Sequence, residues 1–147
     1  MKNEMELSFL SISQNESFAR STVASFITQI DPTLDEITEI KTVVSEAVTN
    51  AIIHGYEEKE NGRITIECTI SEDNEVAITI RDYGVGIEDI AMAKEPLYTS
   101  KPQLERSGMG FSIMESFMDE LRINSTLGVG TTVTMKKQFS EVKSTCH

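Results

Sequence analysis

Two hydrophobic rhythms run along the chain, one of period two and one near 3.6, and the switches between them mark its elements. Met5 to Ile12 is rich in apolar residues and predicts a first strand. Ser13-Gln14-Asn15-Glu16 has the form of a capping box, with Ser13 as N-cap and Glu16 three residues on. Ala19, Val23, Phe26, Ile27 and Ile30 then recur at helical spacing. Asp31-Pro32 predicts a second N-cap, with proline at the first helical position. The helix it opens is the longest expected, with Ile37, Ile40, Val44, Ala47, Val48 and Ala51 as its buried stripe. Gly55 is placed to end it as a left-handed C-cap.

Alternation returns in Arg63 to Ile70, with Ile64, Ile66, Cys68 and Ile70 on one face, and again in Glu75 to Arg81. The turn signal Ser71–Asn74 between them makes a hairpin. Ile87 to Ser107 has no clean period and contains Pro96 and Pro102, which predicts loop with at most one short helix. Gly110 to Glu120 predicts a helix burying Ile113, Met114, Phe117 and Met118. Leu121 to Asn124 and Thr131 to Lys137 are two last strands around Gly128-Val129-Gly130. The expectation is one domain over 1–140 and a flexible tail over 141–147. Strands arrive in pairs rather than alternating with helices. The expected fold is therefore α+β, a two-layer α/β sandwich with a mostly antiparallel mixed sheet.

Composition narrows the function classes. The chain has 147 residues, 39% hydrophobic and 25% charged, which suits a soluble globular domain. It has no apolar run of about 18 residues, the length a spanning helix needs. Acidic residues in Met1–Glu6 do not suit an apolar leader, so a cytoplasmic location is expected. The net charge of −11 argues against a nucleic-acid partner. A basic protein partner fits that charge, and so does a plain solvated surface. Cys68 and Cys146 make no disulfide framework, and with His54 and His147 they give no zinc spacing.

Candidate chemistry starts at Asp82. It continues the parity of Val76, Ile78 and Ile80, which aims a carboxylate at the buried face unless the strand has already ended in a turn. Gly84 and Gly86 follow it, and glycine lets a ligand approach the backbone closely. Glu46 and Asn50 are spaced i, i+4 and share a helix face, with His54 a further step along. Such a pair suits a general base and a ligand for a hard cation, and equally an ordinary solvated face. Ser107-Gly108-Met109-Gly110 opens a helix, as an anion site or merely a tight turn, with Lys101 and Arg106 just before it.

The ordered set is more specific than its parts. Ser45–Ala51 (SEAVTNA), Asp82–Gly86 (DYGVG), Gly108–Gly110 (GMG) and Gly128–Thr131 (GVGT) together resemble the GHKL family of ATP-binding domains. Ser45–Tyr56, Thr99–Phe111, Asn15–Arg20 and Asp31–Thr33 are similar to the anti-sigma serine-protein kinases of spore-forming bacteria, a likeness covering nearly the whole chain. It departs at Tyr83, where an acidic residue is expected, at Ser100, where Thr is expected, and at the final Cys146-His147.

The resemblance implies ATP and Mg²⁺ as cofactors. It implies that Asp82 accepts a hydrogen bond from the adenine amino group, Thr131 supports the adenine end and Asn50 holds Mg²⁺. It places His54, Gly84, Gly86 and Thr99 in the nucleotide site. Gly108, Met109 and Gly110 would bring the backbone to the phosphates, with Lys101 and Arg106 meeting their charge. Glu46 would be the general base. The implied acceptor is a serine of an anti-anti-sigma factor. The implied partner is an RNA polymerase sigma factor of the sigma-F type, touched by Arg20 of a homodimer. Two rivals share the pocket: an ATP-binding sigma-sequestering module without phosphotransfer, and the catalytic domain of a histidine kinase. Gyrase-like or MutL-like machines need further domains.

Overall fold

Alternation builds the sheet. In the computed structural model, which describes residues 2–87 and 110–140, five strands form one sheet in the order β1-β2-β3-β5-β4. The strands are β1 (Asn3–Leu10), β2 (Arg63–Ile70), β3 (Glu75–Asp82), β4 (Glu120–Thr126) and β5 (Gly130–Gln138). Every pairing is antiparallel, so the sheet described is not mixed. The pairs β2–β3 and β4–β5 are hairpins, and β1 joins β2 through the first two helices, so none of these three needs a parallel crossover. The α+β two-layer architecture is otherwise as expected.

Three α-helices are described on one face: α1 (Gln14–Ile27), α2 (Leu34–Asn50) and α3 (Phe111–Phe117). The inward residues of β2 and β3 pair across the sheet, Ile66 with Ile80 and Cys68 with Ile78. They pack under Ala19, Val23 and Ile27 of α1 and Ile40, Val43, Val44 and Val48 of α2. Full burial of each such side chain contributes roughly 1.5–3 kcal/mol. Cys68 belongs to this core, and burial pushes its thiol up to about 12, which leaves it inert. Cys146 and the expected tail lie outside the described residues.

The helix ends differ from expectation in instructive ways. Ser13 makes no side-chain cap, because its own backbone is already helical (φ −59°, ψ −29°) where a capping residue is extended. The Glu16 carboxylate instead accepts from Arg20 at 3.0 Å and from the Ser45 hydroxyl. Asp31 does not open α2. It sits in the left-handed region (φ 55°) and closes the short 3-10 turn Thr28–Ile30. The N-cap is Thr33, whose hydroxyl and Glu36 form a complete capping box. Three residues after Asp31 stands Leu34, which cannot reciprocate.

α2 does not stop at a left-handed Gly55. It widens into a π-helical turn, Ala51–Gly55, and the Tyr56 N–H donates to the Ala51 carbonyl at 2.8 Å. Glycine is needed at 55 for close approach, since a β-carbon there would stand 3.0 Å from the Asp82 carboxylate. α3 is shorter than expected. Phe111, Met114 and Met118 face inward, while Ile113 is 40% exposed on the outer side. Phe139, just beyond β5, is a core residue the pattern did not foresee, as are Val43 and Phe111.

Candidate functional site

One cross-sheet row locates the site. Register sets Phe9 opposite Ile64, Ile64 opposite Asp82, Asp82 opposite Thr131 and Thr131 opposite Ser125. All five lie on the helix-facing side, and the row turns from apolar to polar halfway across. Asp82 is 7% exposed and Thr131 8% exposed, so the parity expected for Asp82 holds. A buried carboxylate needs donors. The Gly84 N–H supplies one to Oδ1 at 2.9 Å. Burial still pushes the Asp82 carboxyl above its usual range, and backbone N–H groups of Gly84 and Thr131 pull against that rise.

A cleft opens above this row. Asn50, Ala51, His54 and Gly55 wall it on the α2 side, and Ile80, Asp82, Thr131 and Val133 form its floor. Ala47, Gly86, Ile87 and Phe111 complete the lining. The site is thus a mostly apolar slot with a carboxylate and a hydroxyl at its base, which suits a flat heterocycle bearing a donor. Asn50 is itself buried, at 8% exposed. His54 is half-buried, and burial lowers its pKa, so it is a neutral imidazole near pH 7.

The glycines after Asp82 are fixed by close contacts. A β-carbon on Gly84 would lie 2.0 Å from the Gly55 carbonyl oxygen, and Val85 N–H donates to that same oxygen at 2.9 Å. Gly86 has φ +85°, and a β-carbon there would meet the Thr126 carbonyl at 2.4 Å. The Val85 carbonyl accepts from Gly128 N–H at 2.8 Å, tying the two glycine-rich turns together.

Glu46 does not line the cleft. It stands one helical turn before Asn50, and a β-carbon on Gly110 would lie 2.1 Å from its Oε1. Its pKa is raised, first by burial and then by the charge of Glu16. Arg20 lies beyond, donating to Glu16 at 3.0 Å and to the Ser45 hydroxyl at 3.3 Å, with its side chain 36% exposed. The structure therefore brings together Glu46, Asn50, His54, Asp82, Gly84, Gly86, Gly110 and Thr131, with Arg20 one layer behind Glu46. Thr99, Lys101, Arg106, Gly108 and Met109 lie outside the described residues, as does Ser100.

Sequence reasoning missed Ser125. Its hydroxyl contacts Thr131 Oγ1 at 2.8 Å and accepts from Ile87 N–H at 2.7 Å, where the chain leaves the cleft. Counting on from Leu121 and Ile123 at period two reaches it.

Residues 13–137 match the family of histidine kinase-like ATPase domains. The chain is 63% identical to the anti-sigma F factor of Priestia megaterium and 62% identical to that of Bacillus subtilis (strain 168). Both matches cover 147 residues and the full length of each chain. The fold is similar to the crystal structure of the RsbU and RsbW domains of Rv1364c from Mycobacterium tuberculosis, with TM-score 0.67 and 18% identity. That likeness covers 93% of this chain and 32% of the other. The chain belongs to the histidine kinase-like ATPase domains and, within them, to the family of the anti-sigma F factors.

Proposed function

We propose that this chain is an ATP-dependent protein serine kinase that also binds and inhibits an RNA polymerase sigma factor of the sigma-F type. Its phosphoacceptor is a serine of the anti-anti-sigma antagonist. The observation that carries the pocket's share of this reading is the buried Asp82 at the floor of an apolar slot. An ionised carboxylate is a pure acceptor, and the adenine amino group is a matching donor. Thr131, held by Ser125, borders the same end.

Asn50, buried on the cleft wall, is assigned to hold Mg²⁺. Among the described residues no group of three or more His, Cys, Asp or Glu is arranged to hold a metal. That fits Mg²⁺ bound with a nucleotide, since the ion keeps waters and phosphate oxygens and takes only one or two protein ligands. The bound ion would neutralise charge on the transferred phosphoryl group. Gly110, with Gly108 and Met109, is assigned to the phosphate end with Lys101 and Arg106, and Thr99 joins them on the likeness alone.

Glu46 is assigned as general base. A raised pKa makes it a stronger base than an ordinary glutamate, and its carboxylate lies close against Gly110. Phosphoryl transfer asks for such positioning more than for covalent chemistry. His54 sits half-buried on the cleft wall, which does not suit a phosphoacceptor for another protein. The sigma-binding half rests on the relatives' name, and it uses Arg20 in a cytoplasmic homodimer.

The test mixes the protein with Mg²⁺ and either ATP or ADP, a sigma-F-type factor and its antagonist. The reading expects sigma to co-purify with the ATP form and the antagonist to become phosphorylated on serine. Failure of sigma to co-purify in any nucleotide state would overturn the anti-sigma half. An unmodified antagonist would overturn the kinase half.

A further inference from the structure

The Tyr56 hydroxyl joins three pieces of chain around the cleft, although Tyr56 has no part in the chemistry above. It follows the π-helical turn directly. The hydroxyl donates to the Arg63 carbonyl at 2.6 Å, at the first residue of β2. It accepts from the Tyr83 N–H at 2.7 Å. Its one proton is thus committed to backbone, and the ring is fixed as well. A β-carbon on Gly62 would stand 2.5 Å from that ring, so glycine there lets the tyrosine lie flat on the chain.

Tyr83 is the residue after Asp82. Its side chain is 59% exposed, so its amide is what the structure uses. The same turn is held at its other end by Val85 N–H on the Gly55 carbonyl and by the Gly84 contact with that oxygen. Asp82 takes its direction from this turn, because Gly84 N–H donates to Oδ1 at 2.9 Å. The orientation of the carboxylate therefore depends on the end of the α2 region, and Tyr56 is the side-chain link between them.

We propose that Tyr56 is a positioning residue that sets the base selectivity of the cleft, holding the Asp82 turn so that the carboxylate meets an exocyclic amino group in line. The inference rests on the reading of the cleft as an ATP site with Asp82 at the adenine end. Tyr56 does not line the cleft, so it acts through Asp82 rather than by touching nucleotide. Hydrogen bonds weaken steeply as their angle departs from linear, so a released turn loses selectivity before it loses shape.

The test compares Tyr56→Phe with the unaltered full-length protein. Phenylalanine keeps the ring on Gly62 and removes only the hydroxyl. Calorimetric titration measures Mg²⁺-ATP against Mg²⁺-purine riboside triphosphate, which lacks the amino group. The unaltered protein should prefer ATP by about tenfold or more, the size expected for a hydrogen bond to a charged group. Tyr56→Phe should lose most of that preference while binding of purine riboside triphosphate stays within about twofold.

A full preference retained by Tyr56→Phe would overturn the proposal. So would an equal loss for both nucleotides, which is what a merely structural tyrosine gives. No preference in the unaltered protein would overturn the Asp82 reading itself, a failure visible before any substitution. Should Tyr56→Phe not fold, exchange of the Tyr83 amide in the unaltered protein decides. The proposal expects slow exchange, and exchange as fast as an open loop amide would overturn it.

Discussion

The Glu46 carboxylate rests against the α-carbon of Gly110, so close that a β-carbon there would lie 2.1 Å from Oε1. Gly110 also has φ +64°, which costs an L side chain roughly 1–2 kcal/mol. Both constraints select glycine, and only the second is about backbone strain. Gly110→Ala should move the base. A misplacement of about 1 Å can cost about 10²-fold in rate. Steady-state phosphorylation should show that fall in kcat, with a melting temperature lowered by a few degrees, as ~1 kcal/mol implies for a domain this size.

Asp82→Asn separates stability from binding. The native fold holds the Asp82 carboxyl above its usual range, so ionisation there opposes folding. The sign follows: this site favours the folded state at low pH, and that contribution is lost as pH rises through the raised folded pKa. At pH 7 the asparagine variant should melt no lower than the unaltered protein. It should also bind ATP about 10–100-fold more weakly, since a neutral amide replaces the charged acceptor. Paired thermal melts and titrations check both halves.

Glu46 sets a pH dependence of the reaction. A general base works ionised, so the rate should fall as pH drops through its pKa. Burial and the Glu16 charge raise that pKa, so the acid limb lies above the pH of an ordinary glutamate. Glu16→Gln removes one of the two causes and should shift the limb to lower pH. The profile of kcat/KM against pH for both proteins reads this directly.

How far these features were legible beforehand depended on whether their causes were local. Asp82's inward aim followed from period-two parity within its own strand. The pairing of Glu46 with Asn50 followed from helical spacing. Gly55 does end the helical stretch, but not as a left-handed cap: its close neighbour is Asp82, 27 residues away, and a close approach across the fold leaves no local signal. The capping box at Ser13 failed twice over: Ser13 is itself helical, and the Glu16 side chain is engaged by Arg20 and by Ser45 on another helix. Ser125 lies just beyond the strand expected over Leu121 to Asn124, and only the register sets it beside Thr131. The segment with Lys101 and Arg106 gave no periodicity, and it lies outside the described residues.

Arg20→Glu addresses the proposed sigma contact. It removes the Arg20 bonds to Glu16 and Ser45 and places two carboxylates at i, i+4 on α1, changes at a partly exposed site worth about 1 kcal/mol or less each. The variant should therefore stay folded and bind ATP normally while losing sigma. Co-purification with sigma alongside a nucleotide titration checks this. Retained sigma binding would remove Arg20 from the contact.

The central claim is that Glu46 serves as base in a serine kinase built on this pocket, and Glu46→Ala tests it most directly. Both proteins are loaded with γ-labelled Mg²⁺-ATP at saturation, and label on the antagonist's serine is followed over time. The account predicts unchanged ATP affinity and a rate lower by about 10²–10⁴, the usual worth of a positioned base. Equal phosphorylation by Glu46→Ala and the unaltered protein would contradict it.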